Sequence, residues 1–380
     1  MPRSSALVVL LAVFAPTCGG THTSAPPSDT SSESAGVSTT DASTTSAEES
    51  GDAGNSSSTD TSDTSDATDT TDASTGDGDG EPLSVEVLEL AYGDDPAQTL
   101  DLYLPQPRPP APVAVVVLAH GGLWQAGDKL ALAYLCESLV ESSQGQLACA
   151  SINYRLSQSL GGVCRGAGVD AYVQQVHDLA HGYALLQAQA RTHDLDPTRM
   201  FVGGHSAGGH LAHTLNLRWS EFSAACTNGC TAPAGAIGIE GIYDVAAWNA
   251  YDAQFWNGAF ACATRKAFGG APDSATPCID AQHQVPCWSM GSPTWLAQQS
   301  VTLGLVPVGD ALIIHSPGDD WVDIAEAPNF GAAMSTAFPG LSVIASYDGT
   351  CGNSTHDNVL GEPALASCII NFIASNGASI

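Results

Sequence analysis

Apolar positions between residues 82 and 380 fall into two patterns. Ser84 to Leu90 and Thr99 to Leu104 alternate apolar with polar, the period of half-buried strands, and Gly93-Asp94-Asp95-Pro96 supplies the turn of an antiparallel start. Val113 to Ala119 is an unbroken apolar run and Leu147 to Asn153 a second, both suited to central strands buried on two faces. Val169, Tyr172, Val173, Val176, Leu179, Ala180, Tyr183 and Leu186 recur at helical spacing, so an amphipathic helix is predicted to end before Asp196-Pro197, with a short strand at Met200 to Val202 after it. Further strands are predicted at Ala236 to Glu240, Ala311 to His315 and Leu341 to Ser346, and helices at Ile324 to Phe338 and Pro363 to Ala374. The alternation predicts an α/β class: a mostly parallel central sheet with helices on both faces. Between about Val245 and Gln299 the regularity is lost in a stretch rich in Trp, Cys, Gly and Pro, which predicts an inserted lid or cap over the strand ends.

Composition changes the picture at the N-terminus. Met1 to Cys18 has one basic residue, Arg3, then an apolar run from Ala6 to Ala15 too short to span a bilayer, and Cys18. That layout predicts a signal peptide over 1–18. Ala15-Pro16-Thr17-Cys18-Gly19 resembles a bacterial lipoprotein cleavage site, with Cys18 as the lipidated residue, although Ala15 and Thr17 match that pattern poorly. Residues 19–81 are Ser, Thr, Asp and Gly without Lys or Arg, and a chain with so little apolar surface cannot offset its ordering entropy. A disordered, self-repelling linker is expected there, followed by one domain over 82–380. Together these readings predict an exported protein, held at the surface or in the periplasm by lipid, or otherwise secreted.

Charge narrows the partners. Of 40 acidic side chains, 14 lie between Thr21 and Glu81, leaving 26 against nine Lys and Arg in the rest, near −17. Nucleic acid is thereby excluded as a partner, and a membrane is expected only through the N-terminal anchor. Beyond Cys18 the ten cysteines Cys136, Cys149, Cys164, Cys226, Cys230, Cys262, Cys278, Cys287, Cys351 and Cys368 suit disulfides in an exported chain. Cys226 with Cys230, and Cys262 with Cys278 or Cys287, are candidate pairs, but spacing does not fix connectivity. No CxxC spacing of a structural zinc site is present.

The chemistry concentrates in two motifs. Gly204-His205-Ser206-Ala207-Gly208 fits G-x-S-x-G between a strand and a helix, the turn that lifts a nucleophilic serine to a helix N-terminus. Its glycines are needed because side chains beside so tight a turn would strike neighbouring backbone. His120-Gly121-Gly122-Leu123-Trp124 follows the strand Val113 to Ala119, and its glycines let backbone N–H groups turn inward. The N–H groups of Gly122, Leu123 and Ala207 are the expected oxyanion donors.

The longer stretches His120 to Lys129 and Gly204 to Leu211 resemble the kynurenine formamidases (arylformamidases) and related carboxylesterases of the α/β-hydrolase superfamily. Glu240-Gly241-Ile242-Tyr243-Asp244, Ala267-Phe268-Gly269 with Ser292-Pro293, and His315 to Asp323 agree with it, so the similarity runs over nearly all of Val113 to Leu360. The resemblance implies an α/β-hydrolase fold and a Ser206, Asp319, His356 triad. The acid must follow a strand after the serine and precede the histidine. Both Asp319 and Asp320 do, and the family spacing of Asp to Val three residues on favours Asp319; Asp323 is read as a solvated helix-start residue. His356 as the base lies in the polar loop Gly352 to Asp357 and is what the resemblance implies. His120 is read as holding the oxyanion loop, His205 and His210 as flanking the turn, and His315 as ending a strand.

The expected activity is hydrolysis of a small-acyl ester or an aryl formamide through an acyl-enzyme, with a small molecule as partner and neither metal nor organic cofactor. Trp124, Tyr243 and Trp321 are candidate pocket residues, with Trp256 and Trp295 as further aromatics. Hydrolysis of N-formylkynurenine itself is one alternative, disfavoured by export, and an inactive surface binding module is another. His177-Asp178-Leu179-Ala180-His181 comes within one substitution of the H-E-x-x-H zinc helix, but both imidazoles fall away from the apolar stripe, so a polar solvated face is expected.

Overall fold

The computed structural model describes residues 82–165, 168–226, 229–270 and 278–377; the predicted signal segment, the linker and Cys18 lie outside them. The chain divides into two units, 1–75 and 76–380, and all that follows concerns the second.

Among the described residues, eight strands form one sheet in the order β1-β2-β4-β3-β5-β6-β7-β8. They are β1 Ser84–Ala91, β2 Thr99–Gln106, β3 Val113–Ala119, β4 Leu147–Ile152, β5 Leu195–His205, β6 Gly235–Ile239, β7 Asp310–Ile314 and β8 Val343–Ser346. β1 with β2 and β2 with β4 are antiparallel, and every other neighbouring pair is parallel. The helices are α1 Ala133–Ser142, α2 Ala171–Ala188, α3 Ala207–Leu217, α4 Trp219–Phe222, α5 Val245–Phe255, α6 Ala261–Phe268, α7 Cys287–Met290, α8 Pro293–Gln298, α9 Ser300–Leu303, α10 Glu326–Ala337 and α11 Pro363–Ser375. This sheet, covered by helices on both faces, is the α/β-hydrolase fold.

The pleat of β3 explains the double-sided core. Val113, Val115, Val117 and Ala119 join the apolar cluster that holds residues of α2 and α3. Ala114, Val116 and Leu118 join the opposite cluster, built with α1 and α11. Successive side chains on a strand point to opposite faces, so an unbroken apolar run is what two covered faces require. The chain leaves β3 on one side to form β4 and returns past it to form β5. Loops at the carboxyl ends of β3 and β5 therefore meet at a crevice, the place where open α/β sheets hold their sites.

Two expectations change. The strand predicted at Met200 to Val202 extends over Leu195–His205, with a register irregularity against β3 between Val113 and Val115 that absorbs the Asp196-Pro197 segment. The stretch expected to be irregular, 245–299, is helical over α5 to α8. Its helices have 4 to 11 residues and are broken by Gly and Pro, too short to display a 3.6-residue period. Its second half also belongs to the body: Met290, Leu296 and Ala297 pack with Phe330 and Met334 of α10.

All ten cysteines considered above are paired: Cys136–Cys149, Cys164–Cys262, Cys226–Cys230, Cys278–Cys287 and Cys351–Cys368. The pair Cys226–Cys230 is as expected. Cys262 instead reaches Cys164, because α6 packs beside α2 and the loop that precedes it. Five disulfides are compatible with an extracellular protein. No described helix is long and apolar enough to cross a membrane.

Candidate active site

β5 ends at His205, and the chain turns at Ser206 with φ 54° and ψ −119°, so that α3 begins at Ala207. A non-glycine residue held at positive φ costs energy unless its surroundings impose it. The surroundings do so here: a Cβ on Gly208 would lie 2.0 Å from the Ala119 carbonyl oxygen, and one on Gly204 would lie 2.5 Å from the same atom. Only glycines let β3, the turn and α3 approach so closely. The Ser206 N–H donates to the Ile239 carbonyl at 2.8 Å, which fixes the turn against the end of β6.

The loop after β3 lies against this turn. A Cβ on Gly121 would come within 3.0 Å of the Ser206 Cβ. Gly122, Leu123 and Trp124 follow at φ 114°, 52° and 60°. The N–H groups of Gly122 and Leu123 donate to no other described residue, and that of Ala207 is an orphan donor of a first helical residue. His120 anchors the loop, with Nδ1 2.7 Å from the Gly121 carbonyl and its ring stacked on Tyr154 at 4.3 Å.

His356 Nδ1 lies 2.9 Å from Asp319 Oδ2. Asp319 Oδ1 accepts from the N–H groups of Trp321 at 2.7 Å and Val322 at 3.0 Å, so the carboxylate is gripped by its own turn. Asp320, the competing acid, instead accepts the His356 backbone N–H at 3.3 Å. His205 Nε2 lies 2.9 Å from the His356 carbonyl oxygen, and the two rings are 4.5 Å apart between centroids. Residue 356 is thus packed onto the residue before Ser206. The hydrogen bonds of the described residues do not include one from Ser206 Oγ to His356; in unliganded sites that contact is often long and tightens when substrate docks.

Three site residues escaped the sequence reading. Glu240 Oε2 lies 3.0 Å from the same His356 Nδ1 and has no hydrogen-bond partner among the described residues. His315 Nε2 lies 2.9 Å from Asp319 Oδ2. His205 is a strut for His356. The signal for Glu240 was available: a lone acid at the carboxyl end of an apolar strand next to β5 stands where sites form.

Burial works against a charged His356 imidazole, but its contacts with Asp319 and Glu240 prevail and push it up to about 10. Asp319 is desolvated too, yet its hydrogen bonds to His315 and His356 hold it well below the usual carboxylate range. Burial pushes Glu240 up to about 7 against the pull of His356. His205 is driven down to about 3, first by burial and then by charge on His356, so it stays neutral. Ligand atoms of Glu240, Asp319 and His356 lie within 4.8 Å of one another, a spacing a metal ion accepts. Proton chemistry accounts for the cluster, since Asp319 Oδ2 already meets two imidazoles.

Two pocket candidates are corrected. Trp124 and Tyr243 have no exposed surface. Trp124 is packed against Phe268 and donates to His210 Nδ1 at 3.1 Å, and Tyr243 is stacked on Phe330 at 4.5 Å. Large rings beside the motifs were claimed by the core rather than by a crevice. Trp321 differs: half-buried, it stacks over His356 at 6.1 Å and 14°, with Phe260 and Trp256 beyond it. His177 and His181 are half-buried rather than solvated, with His177 edge-on to Phe222 at 4.7 Å, while Asp178 between them is fully buried in an ion pair with Arg155. A separate groove of about 700 Å³, lined by Asp244, Thr294 and Glu326 among others, touches neither Ser206 nor His356.

Comparison with known proteins finds esterases and their relatives. The BD-FAE family model matches residues 100–258. Esterase LipC of Mycobacterium tuberculosis is 30% identical over 158 residues, 41% of this chain and 36% of LipC. A kynurenine formamidase of Danio rerio is 28% identical over 160 residues, 42% of this chain and 47% of the relative. The matched segment thus spans less than half of either relative. Among solved structures, an inhibited esterase B from Lactobacillus rhamnosis superposes with a TM-score of 0.58 at 19% identity, covering 78% of this chain and 88% of that one. Sheet order, turn and relatives together give this chain the α/β-hydrolase fold and a likeness to the carboxylesterases.

Proposed function

We propose that the protein is a serine hydrolase that cleaves a small-acyl carboxylic ester, or an aryl formamide, through Ser206, His356 and Asp319. The strained Ser206 turn set against an imidazole that is already hydrogen-bonded to a buried carboxylate carries this reading. Ser206 Oγ attacks the substrate carbonyl carbon while His356 Nε2 takes the hydroxyl proton. The carbonyl oxygen becomes an oxyanion held by the N–H groups of Gly122, Leu123 and Ala207. The tetrahedral adduct collapses, His356 returns the proton to the departing alcohol or amine, and Ser206 is left acylated. Water, deprotonated by the same nitrogen, then releases the acid. Asp319 fixes Nδ1–H and stabilises the charged imidazole.

The Trp321, Phe260 and Trp256 wall beside His356 suits an apolar face on the substrate, and Trp321 is its pocket residue. Esters come first because the disulfides fit an exported protein, outside the usual cytoplasmic setting of tryptophan breakdown. Rates on p-nitrophenyl acetate and butyrate against N-formylkynurenine separate these readings. Ser206→Ala is expected to lower turnover by three orders of magnitude or more while the fold persists. Hydrolysis by that variant at the wild-type rate overturns the assignment. Failure of the wild type to react with a fluorophosphonate identifies an inactive binding module instead.

A further inference from the structure

Glu240 is an expensive residue where it stands. Its side chain has no exposure, and its backbone holds φ 51°, a left-handed conformation that glycine would adopt at less cost. The residue is nevertheless fixed there. Its N–H donates to the Ile314 carbonyl at 2.8 Å, bridging the ends of β6 and β7, and Oε1 accepts from the Ser316 N–H at 3.3 Å. No Lys or Arg among the described residues pairs with it. Its ion-pair partners are His356 at 3.0 Å and His205 at 4.0 Å. A buried carboxylate without a fixed cation is stable only if it shares a proton with its neighbours.

Taking the Ser206, His356, Asp319 reading as its basis, we propose that Glu240 is a second acid of the site, a positioning residue that shares His356 Nδ1 with Asp319 and sets the pH at which the imidazole can act as a base. The groups facing His356 are Glu240 from the end of β6, Asp319 and Asp320 with His315 behind them from the loop after β7, His205 with Ser206 from the end of β5, and the exposed neighbour Asp357, whose carboxylate lies within 4.8 Å of the His205 and His356 ring nitrogens. One proton beyond that on Nδ1 has two places to reside. On Nε2 it makes an imidazolium between two carboxylates, unable to accept the Ser206 proton. On Glu240 it leaves His356 neutral beside ionised Asp319, ready for attack. Glu240 therefore competes with the catalytic base for a proton, and stands in as the acid if Asp319 is lost.

The test uses the full chain and p-nitrophenyl butyrate, with kcat/KM followed from pH 5 to 10. Replacing a carboxylate by an amide removes one negative charge that favours the imidazolium. Glu240→Gln should therefore move the acid limb to lower pH by about one unit or more. Asp319→Asn in the native background should keep at least ten times the activity of the double variant Asp319→Asn with Glu240→Gln. An unmoved limb, together with equal activity of the single and double Asp319→Asn variants, overturns the proposal. If Glu240→Gln does not fold, Glu240→Asp, which draws the charge back by one methylene, must move the limb part of the way in the same direction. Ser206→Ala run alongside separates the two ideas. Activity in that variant defeats the underlying mechanism, whereas an inactive Ser206→Ala with a silent Glu240→Gln defeats only the second acid.

Discussion

Glu326 shows how a single buried carboxyl can bind the fold together and make it pH-sensitive. Its Oε2 accepts the N–H groups of Tyr243 at 2.7 Å and Asp244 at 2.8 Å, joining the start of α10 to the loop after β6. Burial disfavours the charged form and pushes the group up to about 8, from an ordinary 4.5. A group whose folded value is raised binds its proton more tightly when folded. Its contribution to stability is therefore complete below about pH 4.5 and is lost as pH rises through about 8. Urea unfolding should show the wild type weakening between pH 5 and 8.5, and Glu326→Gln, which keeps an acceptor for both N–H groups, flattening that slope by a few kcal/mol. Equal slopes in the two proteins would remove Glu326 as the cause. Asp319 and His356 carry the opposite lesson: one pair of side chains is gripped by so many short contacts that its geometry is set before any substrate arrives.

The helices inserted between β6 and β7 divide into two parts with different attachments. α7 and α8 are fastened by apolar contacts with the body, through Met290, Leu296 and Phe330. α5 and α6 carry Trp256 and Phe260 toward Trp321, and α6 is tied by Cys262 to Cys164, 98 residues earlier. Closing so long a loop in the unfolded chain contributes about 5 kcal/mol in the chain-entropy account. Cys164→Ala with Cys262→Ala should lower unfolding stability by about that much and raise KM more than it lowers kcat, because the aromatic wall loses its tether while Ser206 and His356 keep theirs. A doubled variant with wild-type KM and stability would show the tether to be idle.

At the scale of the molecule, 40 acidic against 10 basic residues leave a net charge of −30, and most of the imbalance lies in residues 82–380. Repulsion among these charges opposes the compact state, and salt shortens its reach to about 8 Å at physiological strength. The melting temperature should therefore rise between 10 mM and 500 mM sodium chloride. A falling or flat curve would mean that ion pairs such as Arg155–Asp178 and Lys129–Asp101 outweigh the net repulsion. The same charge predicts no salt-sensitive retention on a DNA or anionic-lipid column.

The sequence by itself determined the sheet, its double-sided core and the turn at Ser206, because strand period, apolar runs and glycine spacing are local and each has one physical meaning. It also placed Asp319 and His356 in their loops, though with the help of a resemblance rather than of periodicity. Tertiary structure alone decided three things. It brought Glu240 and His205 around the His356 imidazole and His315 behind Asp319, since segments so far apart in sequence meet only when the sheet closes. It chose Cys164 for Cys262, a distance no spacing rule encodes. It also sent Trp124 and Tyr243 into the core while leaving Trp321 over His356, because which large ring is buried depends on the neighbours that fold around it.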